Sequence, residues 1–350
     1  MSRIDPRRWA SLAGGLAGMG VLGGWSLLRE LSYAPGPVEP VSVVTERAPA
    51  VLRPGDTFTL LSWNLQFAAS RKHHFFYDGG DAVHVPLEDV LETTAAIRDA
   101  LVAVDPDVAL LQEVDREADR TGHVDQLHHY MGGGRWCCRT STPYHRSRYV
   151  PHPKGAHMGR VDLNLAVLSR FALEGAERIQ LPRLKEPWLR QVFNLKRALL
   201  HARIPVEGAA PLRVGNTHLS AFSHGDGTLS EQVAVLDRWM RAGDRFVLAG
   251  DFNLLPPGDD AGRLGEDGAL YADARNPMEA LLPGWPEAFG PGLLEDAART
   301  YLPYGAERPD RKIDYVFHGA PVEVVEARVL REYDALSDHL PVWVKLRIPR

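Results

Sequence analysis

The sequence predicts an α/β domain of two β-sheets packed face to face with helices outside, preceded by an apolar N-terminal helix. Three observations carry this expectation. Short apolar strands recur from Thr57 to Leu346 with few helical stripes among them, a pattern that buries its faces best as stacked sheets. Leu87–Val104 places apolar residues at 87, 90, 91, 97, 101 and 104, the spacing of one helix face. Trp9–Leu28 runs for 20 residues without a charge, long enough for a helix of about 30 Å.

The N-terminal stretch comes first in the chain. Arg3, Arg7 and Arg8 precede it, which predicts a cytoplasmic N-terminus and a C-terminal domain on the far side of a membrane. An uncleaved signal anchor is the favoured reading of residues 1–30. Ser32-Tyr33-Ala34 is the nearest small-residue cleavage site, and Pro35 after it disfavours cutting. A cleaved secretory signal, a twin-arginine signal through Arg7-Arg8, and a buried helix of the fold are the alternatives. The last is weakest, because six Gly would weaken a soluble helix by about 1 kcal/mol each. Residues 31–56 hold five Pro from Tyr33 to Asp56 and read as a linker, leaving 57–350 as one domain.

Within that domain Thr57–Trp63 reads as a strand, Leu87–Val104 as a helix stopped by Asp105-Pro106, and Val108–Leu111 as a buried strand. Further strands are expected at Leu165–Leu168, Leu199–Ile204, Leu212–Thr217, Phe246–Ala249, Ile313–Phe317 and Pro341–Leu346. Ser230–Arg241 reads as a helix, with Thr228 and Glu231 spaced as a capping box. Residues 116–160 and 255–310 read as long loops over a site, as do 70–86. His73, His74, His145, His152 and His157, within 70–86 and 116–160, read as solvated side chains.

Composition narrows the function. Hydrophobic residues make up 45% and charged residues 24%, which excludes disordered, collagenous and coiled-coil classes. Cys137 and Cys138 are too few for a disulfide framework. Residues 1–30 carry four Arg against Asp5 and Glu30. A chain at net −5 therefore leaves −7 for residues 31–350, the wrong sign for a domain built to grip a nucleic-acid duplex.

Polar residues follow the apolar strands in a regular way. Asn64 ends LLSWN, Gln112-Glu113 end VALLQE, His218 ends VGNTH, and Asp251 and Asn253 follow FVLAG. Asp314 lies inside KIDYVF, and Asp338-His339 precede LPVWVKL. Strand ends share a rim, so these groups can converge. Glu113, Asp251 and Asp338 are hard oxygen donors that suit Mg²⁺, with Mn²⁺ or Ca²⁺ as alternatives. No Cys/His spacing suits zinc, and no nucleophile elbow, Walker loop or dinucleotide pattern is present. Metal-assisted hydrolysis of a phosphoester fits this set. Singly, each residue has a plainer explanation: a turn Asn, a solvated acid, a core His. Six such motifs in order make the plain explanations improbable together.

LSWNLQF, DPDVALLQEVD, LNLAVLSRF, VGNTHLS, FVLAGDFNLLP, RKIDYVF and LSDHLPV resemble, in that order, the motifs of the endonuclease/exonuclease/phosphatase superfamily. The resemblance covers roughly residues 57–348. It implies a DNase I-like four-layer α/β/β/α sandwich and a divalent-metal phosphoesterase. By resemblance, Glu113 is the metal-ligating acid, with Asn64 beside it and Asp338 as a further metal-shell carboxylate. Asp251 orients or deprotonates the attacking water. His339 stabilises the transition state, with Asp314 orienting it. His218, Asn253 and Asn164 contact the phosphate. There are departures. Nuclease members read WNxNG and QExK where this chain has Trp63-Asn64-Leu65-Gln66-Phe67 and Gln112-Glu113-Val114-Asp115. Gln66 replaces a metal-shell acid of some members, and the inositol 5-phosphatase signatures are absent. QEVD and Thr217-His218-Leu219 look closer to the neutral-sphingomyelinase-like and bacterial hydrolase branches than to AP endonucleases.

The sequence thus predicts a membrane-anchored or exported Mg²⁺-dependent phosphodiesterase acting on a lipid or other small phosphodiester. Its partners would be that substrate and, through residues 1–30, a membrane; no protein partner is legible. An exported nuclease is the first rival, and a non-catalytic binding module on the same fold the second.

Overall fold

The computed structural model describes residues 33–221, 225–271 and 275–350. Thirteen strands follow in chain order. The first six are β1 Val38–Pro40, β2 Val43–Thr45, β3 Thr57–Asn64, β4 Val108–Asp115, β5 Cys138–Val150 and β6 Gly159–Ser169. The rest are β7 Glu174–Gln180, β8 Ala198–Val206, β9 Ala209–His218, β10 Phe246–Asp251, β11 Asp314–His318, β12 Glu323–Val329 and β13 Val342–Arg347. They form a seven-stranded sheet ordered β12-β13-β3-β4-β6-β5-β2 and a six-stranded sheet ordered β1-β7-β8-β9-β10-β11.

Period-two alternation builds the core between the sheets. Phe58 and Leu60 of β3, Val108 and Leu110 of β4, and Val342, Val344 and Leu346 of β13 point inward. They meet Leu200 and Ala202 of β8, Leu212 and Val214 of β9, and Val247 and Ala249 of β10. The intervening residues face outward and are covered by helices. Helix α1, Leu87–Val104, sets Ile97 and Leu101 against Leu61, Trp63, Ala109 and Leu111, joined by Tyr130 of the short helix α2, Gln126–Tyr130. A short helix α3, Trp188–Phe193, precedes β8. On the opposite outer face α4, Thr228–Arg241, packs Val233, Leu236 and Met240 onto Leu199, Phe246 and Leu248, beside Met278 and Leu281 of α5, Met278–Leu281. The result is the expected α/β/β/α sandwich.

The topology also places the chemistry. β3 and β4 are parallel at the centre of one sheet, and β9 and β10 are parallel at the centre of the other. Their C-terminal ends, Asn64, Gln112, His218 and Asp251, therefore share one rim. β11 and β13 run antiparallel to their neighbours, so the start of β11 at Asp314 and the residues before β13 reach the same rim.

Several sequence expectations need correction. Residues 31–56 are no free linker over their described part: β1 adds to β7 and β2 to β5, and Leu52 is 1% exposed. Pro40 ends the short edge strand β1, where a missing N–H costs no ladder bond. Residues 116–160 contain all of β5 and α2, because pairing with β6 and not local pattern makes β5 a strand. The helix read as Ser230–Arg241 begins at Thr228; its N-cap is Gly227, and no capping box forms. Asp226 instead accepts the Thr228 N–H at 2.7 Å. Strands β7 and β12 carry mixed polar sequences and were invisible to alternation. The predicted N-terminal apolar helix lies outside the described residues. Among those described, no helix is long and apolar enough to cross a membrane.

Candidate active site

Asp251 is the hub of the rim. It ends β10 and is buried, with its backbone beside His218 on one side and Asp314 on the other. Its Oδ2 accepts the Asn64 amide at 3.0 Å and lies 3.2 Å from His218 Nε2 and 3.6 Å from His339 Nε2. Its Oδ1 accepts the Asn253 backbone N–H at 2.9 Å. Gly250 makes this closeness workable. At φ 145° a Cβ there would lie 1.9 Å from the Thr217 carbonyl oxygen, so only glycine lets β9 and β10 sit this tightly.

His339 and Asp314 form the expected pair, Nδ1 to Oδ2 at 2.9 Å. The pair is held from outside. Trp63 Nε1 donates to the His339 carbonyl at 2.9 Å, the His339 N–H donates to Ser337 Oγ at 3.1 Å, and the Tyr301 ring packs edge-on at 5.1 Å. Burial would push His339 down, but the Asp314 and Asp251 carboxylates hold its pKa well above the usual histidine value. At neutral pH it is an imidazolium whose Nε2–H points to the rim. Asp251 shifts in its own way. Burial pushes its carboxyl up to about 6, opposed by His339 and helped by Asp314. It is mostly ionised at pH 7 and basic enough to take a proton.

His218 is different. Burial, then the Arg197 and His339 charges, hold it well below the usual value, so it is neutral. Tyr144 OH lies 3.2 Å from its Nδ1, and donation by that hydroxyl leaves the proton on Nε2, facing Asp251. Both ring nitrogens thus have protein partners.

Glu113 reaches the rim through a backbone irregularity. Simple alternation on β4 points Gln112 inward and Glu113 outward. The register shifts between Leu111 and Val114, and Glu113 has φ 56°, a β-bulge that turns its carboxylate to 3.8 Å from His218 Nδ1. Gln112 stays inward and stitches the sheets together. Its Nε2 donates to Asn216 Oδ1 at 2.7 Å, and Asn216 donates to the Leu111 and Ala166 carbonyls across the interface.

The residues fit a divalent cation. Among the described residues no Lys or Arg bonds to Glu113 or Asp338, and burial raises both pKa values. Asp338 reaches about 7, with the Glu113 charge adding to the rise against the pull of His339. Both are hard-oxygen donors, and a nearby positive charge would relieve the burial that disfavours their ionised forms. Ligand atoms of Asp251, Asp314 and His339 also lie within 4.8 Å of one another. There, however, His339 and Asp314 already satisfy each other. Asn64 is only a partial donor: its Oδ1 accepts the Gln66 N–H at 3.1 Å and its Nδ2 serves Asp251.

Two predicted phosphate contacts turn their side-chain amides to other partners. Asn164 donates to the carbonyl and Oδ1 of Asp162, at 3.0 Å each, and shares its strand face with Ala166 and Leu168 of the outer core. Asn253 donates through Nδ2 to the Leu219 carbonyl at 3.2 Å. Among the loop His, His145 is buried on β5, its Nε2 donating to the Phe193 carbonyl at 2.8 Å, and burial pushes its pKa down to about 3. His73 and His74 line a cleft beside Asp338. Sequence reasoning missed Tyr144, Asn216, Ser337 and Tyr301. Asn216 was detectable as an amide alternating with apolar residues on VGNTH; the others lie on segments whose pairing is long-range.

An α/β sandwich with acids, amides and two histidines converging on one rim defines a hydrolase of the DNase I-like fold. A family model, Endonuclease/Exonuclease/phosphatase family, matches residues 61–339, and the chain belongs to that family. No curated protein sequence matches it significantly. Solved structures show the same fold. An endonuclease/exonuclease/phosphatase from Beutenbergia cavernae is 24% identical, with TM-score 0.61 over 84% of this chain and 72% of its own. The human Nocturnin catalytic domain with bound sulfate is 15% identical, with TM-score 0.51 over 87% and 96%. The Bacteroides thetaiotaomicron mannosyl-6-phosphatase Bt3783 is 16% identical, with TM-score 0.51 over 83% and 99%.

Proposed function

We propose that this chain is a divalent-metal-dependent phosphodiesterase, with Mg²⁺ the natural ion, acting by in-line attack of water on a lipid or other small phosphodiester. The observation that carries the reading is that one buried carboxylate, Asp251, is shared by Asn64, His218 and the His339–Asp314 pair. Three donors fix its orientation, and burial gives it a pKa of about 6, suited to accept a proton near neutrality. His339 is held protonated by Asp314 and places an Nε2–H near that carboxylate, where it stabilises charge growing on phosphoryl oxygens. Neutral His218 braces Asp251, and Tyr144 braces His218. Glu113 and Asp338 would hold the cation, with Asn64 next to them. When bound, the cation supplies neutralisation of the phosphate charge and polarisation of its bonds.

A small ester is favoured over nucleic acid because residues 31–350 carry net −7. The uncharged Trp9–Leu28 stretch after three Arg supports a domain outside the cytoplasm, anchored or exported. The test is hydrolysis by the purified protein with Mg²⁺ of sphingomyelin, phosphatidylinositol phosphates, plasmid DNA and bis-p-nitrophenyl phosphate. Cleavage of plasmid DNA alone would replace this reading with the nuclease one. No cleavage of any would leave a binding module.

A further inference from the structure

We infer that Gln66 touches the substrate: its side-chain amide donates a hydrogen bond to a phosphate oxygen in the cleft beside Asp338 and does not hold a cation. The inference rests on the phosphoester reading above and adds a residue to it.

The first observation is backbone geometry. Gln66, Phe67, Ala68 and Ser70 have φ of 45°, 42°, 57° and 58°, four non-glycine residues in the left-handed region within five positions. Each costs on the order of 1 kcal/mol. Such a turn persists only where its surroundings enforce it. Here they do. Gln126 Nε2 donates to the Phe67 carbonyl at 2.6 Å, and the Arg120 guanidinium lies 3.6 Å over the Phe67 ring. Arg120 is itself locked on Asp115 by two bonds of 2.8 and 3.0 Å. Asn64 Oδ1 accepts the Gln66 N–H. The turn therefore begins on a site residue and is pinned by buried groups.

The second observation is where the turn sends the Gln66 side chain. Asp338 N lies 3.3 Å from Gln66 Oε1. A backbone N–H can only donate, so the atom facing it must be the amide oxygen, which settles the flip. The other end, Nε2, meets no acceptor among the described residues. Gln66 also lines a cleft with Asp338, Tyr77, His74, Tyr304 and Arg71. The group left over for a ligand is thus an NH₂. Its hydrogens repel a cation and attract a phosphate oxygen. Some members of the superfamily carry a metal-shell acid at this position; this chain presents a donor there.

The experiment compares wild type, Gln66→Ala and Gln66→Glu as full-length protein. Calorimetry follows Mg²⁺ binding and then inorganic phosphate binding at saturating Mg²⁺, beside kcat/KM on bis-p-nitrophenyl phosphate. Gln66→Glu keeps the oxygen that accepts the Asp338 N–H, so it carries the test if the alanine variant fails to fold. In Gln66→Ala, phosphate affinity should fall ~10-fold or more and kcat/KM ~10²-fold, with Mg²⁺ affinity within twofold of wild type. Gln66→Glu should bind phosphate no better than the alanine variant. A tenfold loss of Mg²⁺ affinity in Gln66→Ala would overturn the inference, as would wild-type phosphate affinity in Gln66→Glu. If wild type hydrolyses nothing yet phosphate binding still depends on Gln66, the inference stands and the hydrolase reading falls.

Discussion

Replacing Asp314 by Asn removes one charge from the centre of the site and almost nothing from its shape. In the structure Asp314 Oδ2 lies 2.9 Å from His339 Nδ1, and both side chains are buried. At an effective dielectric of about 20, charges at that distance attract by ~6 kcal/mol, a ceiling that desolvation reduces. Asp251 stays near Nε2 at 3.6 Å and retains part of the attraction. Carboxylates that orient a catalytic imidazole are worth about 10²–10⁴ in rate, or roughly 3–5 kcal/mol, which fits beneath that ceiling. The sign of the pH effect follows from the same pair. Asp314 helps hold His339 well above the usual histidine pKa. Without the anion the imidazolium loses its partner and gives up its proton at lower pH. The Asp314→Asn profile of kcat against pH should therefore lose its alkaline side earlier than wild type. The assay is a pair of pH–rate profiles on bis-p-nitrophenyl phosphate, with near-UV circular dichroism to establish that the variant is folded. A folded Asp314→Asn protein with wild-type kcat and an unmoved alkaline limb would refute the dyad and leave Asp314 as a core residue.

Four further outcomes are expected. EDTA should abolish hydrolysis, and Mg²⁺ or Mn²⁺ should restore it; full activity after exhaustive chelation contradicts the metal role proposed for Glu113 and Asp338. Added Mg²⁺ should raise the thermal midpoint more at pH 8 than at pH 5.5. Asp338 with a pKa of about 7 is raised above its unfolded value, so metal-free stability declines as pH rises towards 7, and only the deprotonated acid binds a cation. Equal midpoint shifts at the two pH values would count against this. Gly250→Ala should cost at least about 3 kcal/mol, because its Cβ would sit 1.9 Å from the Thr217 carbonyl oxygen; urea unfolding with an unchanged midpoint would mean the strands part easily. The full-length chain should fractionate with membranes, with residues 57–350 reachable by protease from outside the cytoplasm; a wholly soluble cytoplasmic chain defeats the anchor.

Local pattern determined much of this protein. Alternation in TFTLLSWN and VALLQE specifies β3 and β4 and their inward faces, because a strand buried on one side must repeat every two residues. The stripe in Leu87–Val104 specifies α1 to the residue. The polar strand ends named Asn64, Glu113, His218, Asp251, Asp314 and His339 before any contact was known, because apolar strands leave their chemistry at their ends. What remained depends on partners far along the chain. The residues of 33–56 become edge strands only because β5 and β7 offer them unpaired backbone. Tyr144 reaches His218 only because β5 pairs with β6. Glu113 turns into the site through a bulge that one extra residue creates against β6, and alternation alone sends it the other way. The left-handed turn at Gln66–Ser70 goes against the local preference of four of its five residues. Arg120 and Gln126, more than fifty residues away, hold it in place. A one-dimensional pattern records which side chains are apolar; the balance between local strain and distant contacts is decided only when the chain is folded.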